Sequence, residues 1–207
     1  MILKEGLALD IDETLSWTFG FWVENLQKRF SNPENLSVEE MFNKYKFTQN
    51  VPYWQSEEAL AWMEEHRNHN GLQKELSLIE GSNIYVPKVN KIIPISVYLT
   101  TRPDTVIKGT KHWLDKHGFP EAPIICRPSL IPTEEGDAWK AEKLKELYPT
   151  IKGIVDDNAR VLQSLEPDYK GVLFYFQHDT VDSVIHAIPC KTWEKVYEAV
   201  KKEFMQN

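Results

Sequence analysis

From Ile95 onward the chain alternates short apolar runs with amphipathic segments of helical length, and that rhythm restricts the fold more than any other feature. Apolar runs at Ile95 to Leu99, Pro123 to Cys126, Ile151 to Val155 and Gly171 to Phe176 are separated by helical patterns at Asp104 to Lys116, Asp137 to Leu147 and Ala159 to Leu165. A last helical pattern, Thr192 to Phe204, carries Trp193, Val196, Tyr197, Val200 and Phe204 at helical spacing. Parallel strands need a crossover of about a dozen residues or more, which these helices supply. The pattern predicts an α/β architecture, a central parallel sheet of five strands with helices on both faces.

The first strand stands apart from this series. Leu7-Ala8-Leu9 is a short apolar run that ends in Asp10-Ile11-Asp12-Glu13-Thr14, so acids gather where a buried strand stops. In extended backbone Asp10 and Asp12 project to the same side. Between this strand and the next, residues 16–80 read as helical and aromatic. Phe19, Trp22, Val23, Leu26 and Phe30 follow one helix face; Ser37 with Glu40 three positions on forms a capping pair; Ser56 precedes a third helix running through Glu57 to Met63. The domain reading is therefore a core of residues 1–15 and 81–207 with a helical insert at 16–80.

Composition narrows the partners. A formal charge of −7 works against broad attraction to nucleic acid and favours a small soluble partner. The two cysteines, Cys126 and Cys190, lack metal-binding spacing and are too few for a disulfide framework, which fits a reducing compartment. No apolar run approaches the ~18 residues of a membrane span, so no membrane partner is expected and the location read is cytoplasmic.

Three more segments make the acid-rich strand end specific. Val97-Tyr98-Leu99 ends in Thr100-Thr101-Arg102-Pro103; Gly153-Ile154-Val155 ends in Asp156-Asp157; between them a helix bears Lys140 on the side it shares with Leu144 and Leu147. In this order the segments resemble the four motifs of the haloacid dehalogenase superfamily: an Asp-x-Asp-x-Thr strand end, a Ser/Thr strand end, a helix-borne lysine and an acidic strand end. The insert lies where that family carries a helical cap, between motifs one and two. The resemblance implies a Rossmann-like three-layer core with a small cap.

It also implies a chemistry. Asp10 would be the nucleophile, and Asp12 the acid and then the base, through an aspartyl-phosphate. Thr100, Thr101 and Lys140 would hold phosphoryl oxygens. Mg²⁺ would be held by Asp10, Asp156, Asp157 and the backbone carbonyl of Asp12, which suits a hard cation with oxygen ligands. Superfamily phosphatases carry an acid two positions after the nucleophile and the dehalogenases do not, so Asp12 favours a phosphatase. The expected substrate is a small phosphate monoester, a nucleotide or sugar phosphate. An enzyme acting on nucleic-acid 3′ ends and a non-enzymatic metal- or ligand-binding module remain the alternatives.

Some assignments stay open at this level. Lys143 competes with Lys140, because the stretch from Lys140 to Lys145 also suits solvated ion pairs. Arg102 is a candidate for gripping an anionic substrate or for bracing its loop. Trp17, Phe21, Tyr53 and Trp54 lie off the clear helical stripes and are the aromatic candidates to face substrate, Trp17 foremost. His66 and His69 read as solvated.

Overall fold

A computed structural model of the chain describes residues 3–165 and 167–205. Six strands form one parallel sheet: β1 (Gly6–Leu9), β2 (Ile95–Pro103), β3 (Ile124–Arg127), β4 (Ile151–Asp156), β5 (Val172–Phe176) and β6 (Ala187–Cys190). Their spatial order is β3-β2-β1-β4-β5-β6. β1 sits at the centre, and the chain winds outward on either side of it. Such a reversal of strand order opens a crevice at the carboxyl ends of the strands, where ligands bind in sheets of this kind. Asp10 begins at that end.

Side chains point to both faces of the sheet, alternating except at irregularities near the start of β2 and β4, and strands buried on both faces read as continuous apolar runs. Leu7, Leu9, Tyr98, Val155 and Phe174 pack on one face with α5 (Ser82–Asn90), α6 (Ile107–Lys116) and α9 (Trp193–Met205). Ala8, Val97, Leu99, Ile154 and Leu173 pack on the other with α7 (Gly136–Leu147) and α8 (Ala159–Leu165). Buried indoles need a partner for their N–H. Trp113 Nε1 donates to Leu76 O at 2.7 Å and Trp193 Nε1 to Thr14 O at 2.8 Å. The second bond ties α9 to the loop that follows β1.

The insert has a small core of its own. α1 (Thr18–Arg29), α2 (Val38–Tyr45) and α3 (Glu57–Arg67) enclose Phe19, Val23, Leu26, Met41, Val51, Trp54 and Met63. Ser37 and Glu40 form the expected capping box, and Ser56 Oγ accepts from Ala59 N at 3.2 Å. The later part of the 16–80 stretch behaves differently. Leu72, in α4 (Asn70–Gln73), and Leu76 are buried in the core of the sheet, and Asn70 locks α4 onto α6 by accepting from Gly109 N at 2.6 Å and donating to Thr105 O at 2.8 Å.

Two elements go beyond the sequence reading. The sheet has six strands where five are predicted, because β6 is short and contains Pro189, a residue that argues against a strand except at an edge. Its edge position explains it: Leu173 N and Gln177 N donate to the carbonyls of His186 and Cys190, so the intervening Pro189 turns its backbone away from β5. α5 is likewise not predicted, since Pro87 lies inside it.

Candidate active site

Each chemical group in the crevice is delivered by the end of a sheet element or by a helix flanking it. Asp10 follows β1, with its N–H still bonded to Val155 O at 3.0 Å, so the strand ladder itself fixes its backbone. Asp156 is the last residue of β4 and Asp157 follows it. Carboxylate oxygens of Asp10, Asp156 and Asp157 lie within 4.8 Å of one another. Lys140, from the buried side of α7, reaches between two of them: its Nζ hydrogen-bonds Asp10 Oδ1 and stands 2.7 Å from Asp156 Oδ2. Lys143 turns outward to Glu146, so Lys140 is the lysine that the fold delivers to the acids.

Smaller groups brace this cluster. Thr14 Oγ1 lies 3.3 Å from both Asp10 Oδ2 and Asp157 Oδ1, and its single proton serves one of them. Asn158 N donates to Asp156 Oδ1 at 2.9 Å, while Asn158 Nδ2 donates to Asp137 Oδ1 at 2.9 Å. His178 stacks on Tyr175 with ring centroids 3.7 Å apart, and its Nε2 meets Asp157 O at 3.2 Å; it buttresses the loop from outside the cavity.

The crowding of acids dominates the electrostatics. Burial pushes Asp10 up to about 7; Lys140 opposes this, and the Asp156 and Asp12 charges reinforce it. Asp157 is raised well above the carboxylate range by burial and by Asp10 and Asp156. Burial works against the Lys140 charge, yet two adjoining carboxylates outweigh it and raise the lysine. Asp12 goes the other way. Burial again disfavours its charge, but the Arg102 guanidinium, with help from Thr18, holds the carboxyl below its usual value.

A cavity of about 550 Å³ opens over these groups, between the core and the insert. Asp10, Asp12, Lys140, Asp157, Thr101 and Arg102 are on its wall. Thr100 is not: it is fully buried, and its Oγ1 accepts from Arg102 N at 3.2 Å, so of the two adjacent threonines Thr101 faces the open space. Asp156 also stands behind the wall, fully buried. Arg102 borders the cavity, but all three of its guanidinium nitrogens are engaged, on Asp12, Ser16 and Thr110, which makes it a brace for Asp12 before any grip on substrate.

The aromatic candidates change places. Trp17 packs edge-on against Phe42 at 5.1 Å and against Phe19, away from the cavity. Trp54 is fully buried with its Nε1 on Ser31 O at 2.8 Å, and Tyr53 packs edge-on against Trp54. Phe21 packs against the core of the sheet. Phe19 and Trp22 border the cavity instead, with Met63. Both belong to the regular α1 stripe. A stripe in so small an insert serves two surfaces, its own core and the underside that roofs the crevice, and periodicity does not separate them. His66 is also not simply solvated: it stacks on Trp62 at 4.0 Å and bonds Trp62 O through Nδ1 at 2.8 Å. His69 is exposed.

Asn158, Arg127 and Thr133 reach the cavity without any signal in the sequence reading. Only Asn158, next to the Asp156-Asp157 pair, stood close enough to a motif to be found.

The sheet order, the acids at its carboxyl edge and the helical insert after β1 give the chain a fold like that of haloacid dehalogenase structures. Among solved structures, the chain is similar to a crystal structure of a superfamily hydrolase from Ehrlichia chaffeensis at 14% identity, covering 97% of this chain and 98% of that one with a TM-score of 0.50. It is similar also to a crystal structure of a dehalogenase, at 14% identity over 95% and 96% of the two chains, with a TM-score of 0.54. No family model and no curated protein matches the chain. Among the described residues, no helix is long and apolar enough to cross a membrane.

Proposed function

We propose that the protein is a Mg²⁺-dependent phosphatase that hydrolyses a small phosphate monoester through an aspartyl-phosphate on Asp10. The observation that carries this reading is the cluster of Asp10, Asp156 and Asp157 at the carboxyl edge of the sheet, with Lys140 set between Asp10 and Asp156. Three clustered carboxylates against one ammonium leave the site short of positive charge. A donor set made of carboxylate oxygens fits a hard divalent cation. Asp10, Asp156 and Asp157 would hold it, joined by the Asp12 carbonyl as the resemblance implies. When bound, the cation neutralises the charge that otherwise keeps a carboxylate from a phosphoryl group.

The protein's own residues account for the rest. An Asp10 oxygen attacks phosphorus, and the ester P–O bond breaks with its electron pair leaving on the alkoxide oxygen, which takes its proton from solvent. Lys140 and Thr101 supply donors to phosphoryl oxygens, the electrostatic support on which phosphoryl transfer depends. Water then attacks the phosphoryl group on Asp10, and Asp12 takes its proton. Arg102 keeps Asp12 ionised, which suits that base role better than protonation of a leaving alkoxide. Phe19, Trp22 and Met63 roof the site, which favours a small phosphorylated substrate over a polymer end and keeps nucleic acid out of the reading.

The direct test is turnover of an aryl phosphate with Mg²⁺, since an aryl oxide departs without needing a proton. Asp10→Asn is expected to remove that turnover, with phosphate release restored by neither higher substrate nor higher Mg²⁺. An Asp10→Asn protein that hydrolyses the ester as fast as the parent removes the mechanism. Failure of the parent itself on a panel of phosphometabolites removes the phosphatase reading.

A further inference from the structure

The end of the cavity away from the acids is built from arginine. Arg127, the last residue of β3, is 3% exposed and has no ion-pair partner among the described residues. It is held by uncharged oxygens: Nε donates to Thr101 O at 3.1 Å, Nη1 to Ile131 O, and Nη2 to Thr133 Oγ1 at 3.3 Å. Arg67, at the end of α3, donates to the same Thr133 Oγ1 from the other side at 3.2 Å. One hydroxyl oxygen thus accepts from two guanidinium groups. Both of its lone pairs are then engaged, and its own proton is left to donate outward.

Two cations meeting on one neutral oxygen is an unfavourable arrangement by itself. Burial and the neighbouring Arg67 charge push Arg127 below its usual value. Arg67 has Glu64 at 2.6 Å, a glutamate whose side chain is 62% exposed, and Glu134 also borders the space. Glu64, Asp104 and Glu134 are near enough to oppose the push on Arg127, but none of them forms an ion pair with it among the described residues. A guanidinium carries five donors, so Arg67 retains capacity beyond its bond to Glu64. Arg67, Arg127 and Thr133 also line an adjoining cavity of about 300 Å³, so they stand where two spaces join. Arg67 comes from the insert and Arg127 from the sheet.

We propose that Arg67, Arg127 and Thr133 form a second anion subsite, so that the substrate is a phosphate monoester bearing another oxyanion, a second phosphoryl group or a carboxylate, at its far end. This deepens the phosphatase reading and rests on it. The reacting phosphoryl group lies against Asp10 and Lys140, and the second oxyanion accepts from the Thr133 hydroxyl and from both arginines. An oxyanion held there also joins insert to core. Specificity then comes from distance: the two anions of the substrate must span the one cavity that Asp10, Lys140, Arg67, Arg127 and Thr133 share.

The test compares hexanediol monophosphate with hexanediol bisphosphate, which share a chain length and a primary alkoxide as leaving group. The bisphosphate is expected to show kcat/KM at least about tenfold higher, the scale of one charge-assisted hydrogen bond and well above the statistical factor of about two for its second ester. Arg67→Gln and Thr133→Val are each expected to reduce that ratio by about fivefold or more, while Lys111→Gln, a surface change outside the cavity, leaves it alone. A ratio near two in the parent, or one unmoved by both variants, overturns the subsite. Calorimetric titration of bisphosphate into the Asp10→Asn protein with Mg²⁺ separates the two readings. With no turnover of any ester, binding that weakens in Arg67→Gln sustains the subsite and removes only the phosphatase reading. Binding indifferent to Arg67→Gln and Thr133→Val overturns the subsite.

Discussion

Arg102 closes a fork on Asp12: its Nε lies 2.9 Å from Oδ2 and its Nη2 2.7 Å from Oδ1. The arginine is almost wholly buried, the aspartate side chain 27% exposed, and Thr18 Oγ1 adds a bond to the same Oδ1 at 2.5 Å. The second acid of the motif is therefore oriented by a residue two positions after the motif threonine, from a different strand. Breaking such a pair leaves an uncompensated charge in a poorly solvated place. Arg102→Met is expected to cost about 2 kcal/mol, below the ~3–5 kcal/mol of a fully buried pair because Asp12 keeps some water. The Asp12→Asn, Arg102→Met double variant is expected to be more stable than the sum of the two single changes. Urea unfolding of all four proteins measures the coupling, and strict additivity would refute a direct pair.

Mg²⁺ is expected to stabilise the protein in a pH-dependent way. Asp10 is raised from 3.8 to about 7, so the folded state holds its proton more tightly than the unfolded chain does. Stability associated with that proton is full below the unfolded value, is lost as pH rises through the interval, and is gone above about 7. A cation among the acids offsets that loss. The rise in Tm on adding Mg²⁺ to chelator-treated protein is thus expected to be large near about pH 8 and small near about pH 5. Thermal melts across that range check it; a shift independent of pH counts against the cluster as the binding site.

Glu13 anchors the insert to the loop that follows β1. α1 has no capping side chain at Trp17, and Glu13 Oε1 instead accepts from Phe19 N at 2.6 Å, with Glu13 itself at a φ of 58°. Glu13→Ala is expected to lose about 1 to 2 kcal/mol, the scale of a helix cap, and to speed amide exchange at Phe19. Glu13→Gln keeps an acceptor oxygen in place and is expected to stay within about 0.5 kcal/mol of the parent. Equal losses in the two variants would show that charge, rather than the cap bond, is what matters.

Gly109→Ala is expected to destabilise although it adds the better helix former to α6. A Cβ at Gly109 would stand 2.2 Å from Asn70 O, so α4 must shift and its bonds from Asn70 must stretch. Alanine's helical advantage of about 1 kcal/mol is expected to be outweighed by an overpacking cost of about 2 to 3 kcal/mol. Chemical denaturation gives the sign directly.

The parallel sheet was legible because burial on both faces leaves uninterrupted apolar runs, and the site was legible because its acids stand at the ends of those runs. Asp10 and the Asp156-Asp157 pair end the adjacent strands β1 and β4, so strand order brings the acids together, and α7 packed on that sheet brings Lys140 to them. What the sequence hid depends on surfaces that only the folded insert creates. Phe19 and Trp22 look like core by spacing and also roof the cavity, whereas Trp17 and Trp54 look free and are packed inside. Arg127 ends an ordinary strand, and nothing in its neighbourhood announces that Arg67 approaches from the insert. Arg102 sat beside a motif, yet its partner lies ninety positions away on another strand end.

Pro189 has an effect outside the molecule. Odd-numbered β6 residues turn their backbone outward, and at Pro189 that outward position has no N–H. A strand from a neighbouring chain seeking to extend the sheet there meets a gap in the row of donors it would need. A missing hydrogen thus weakens further pairing at this margin of the sheet.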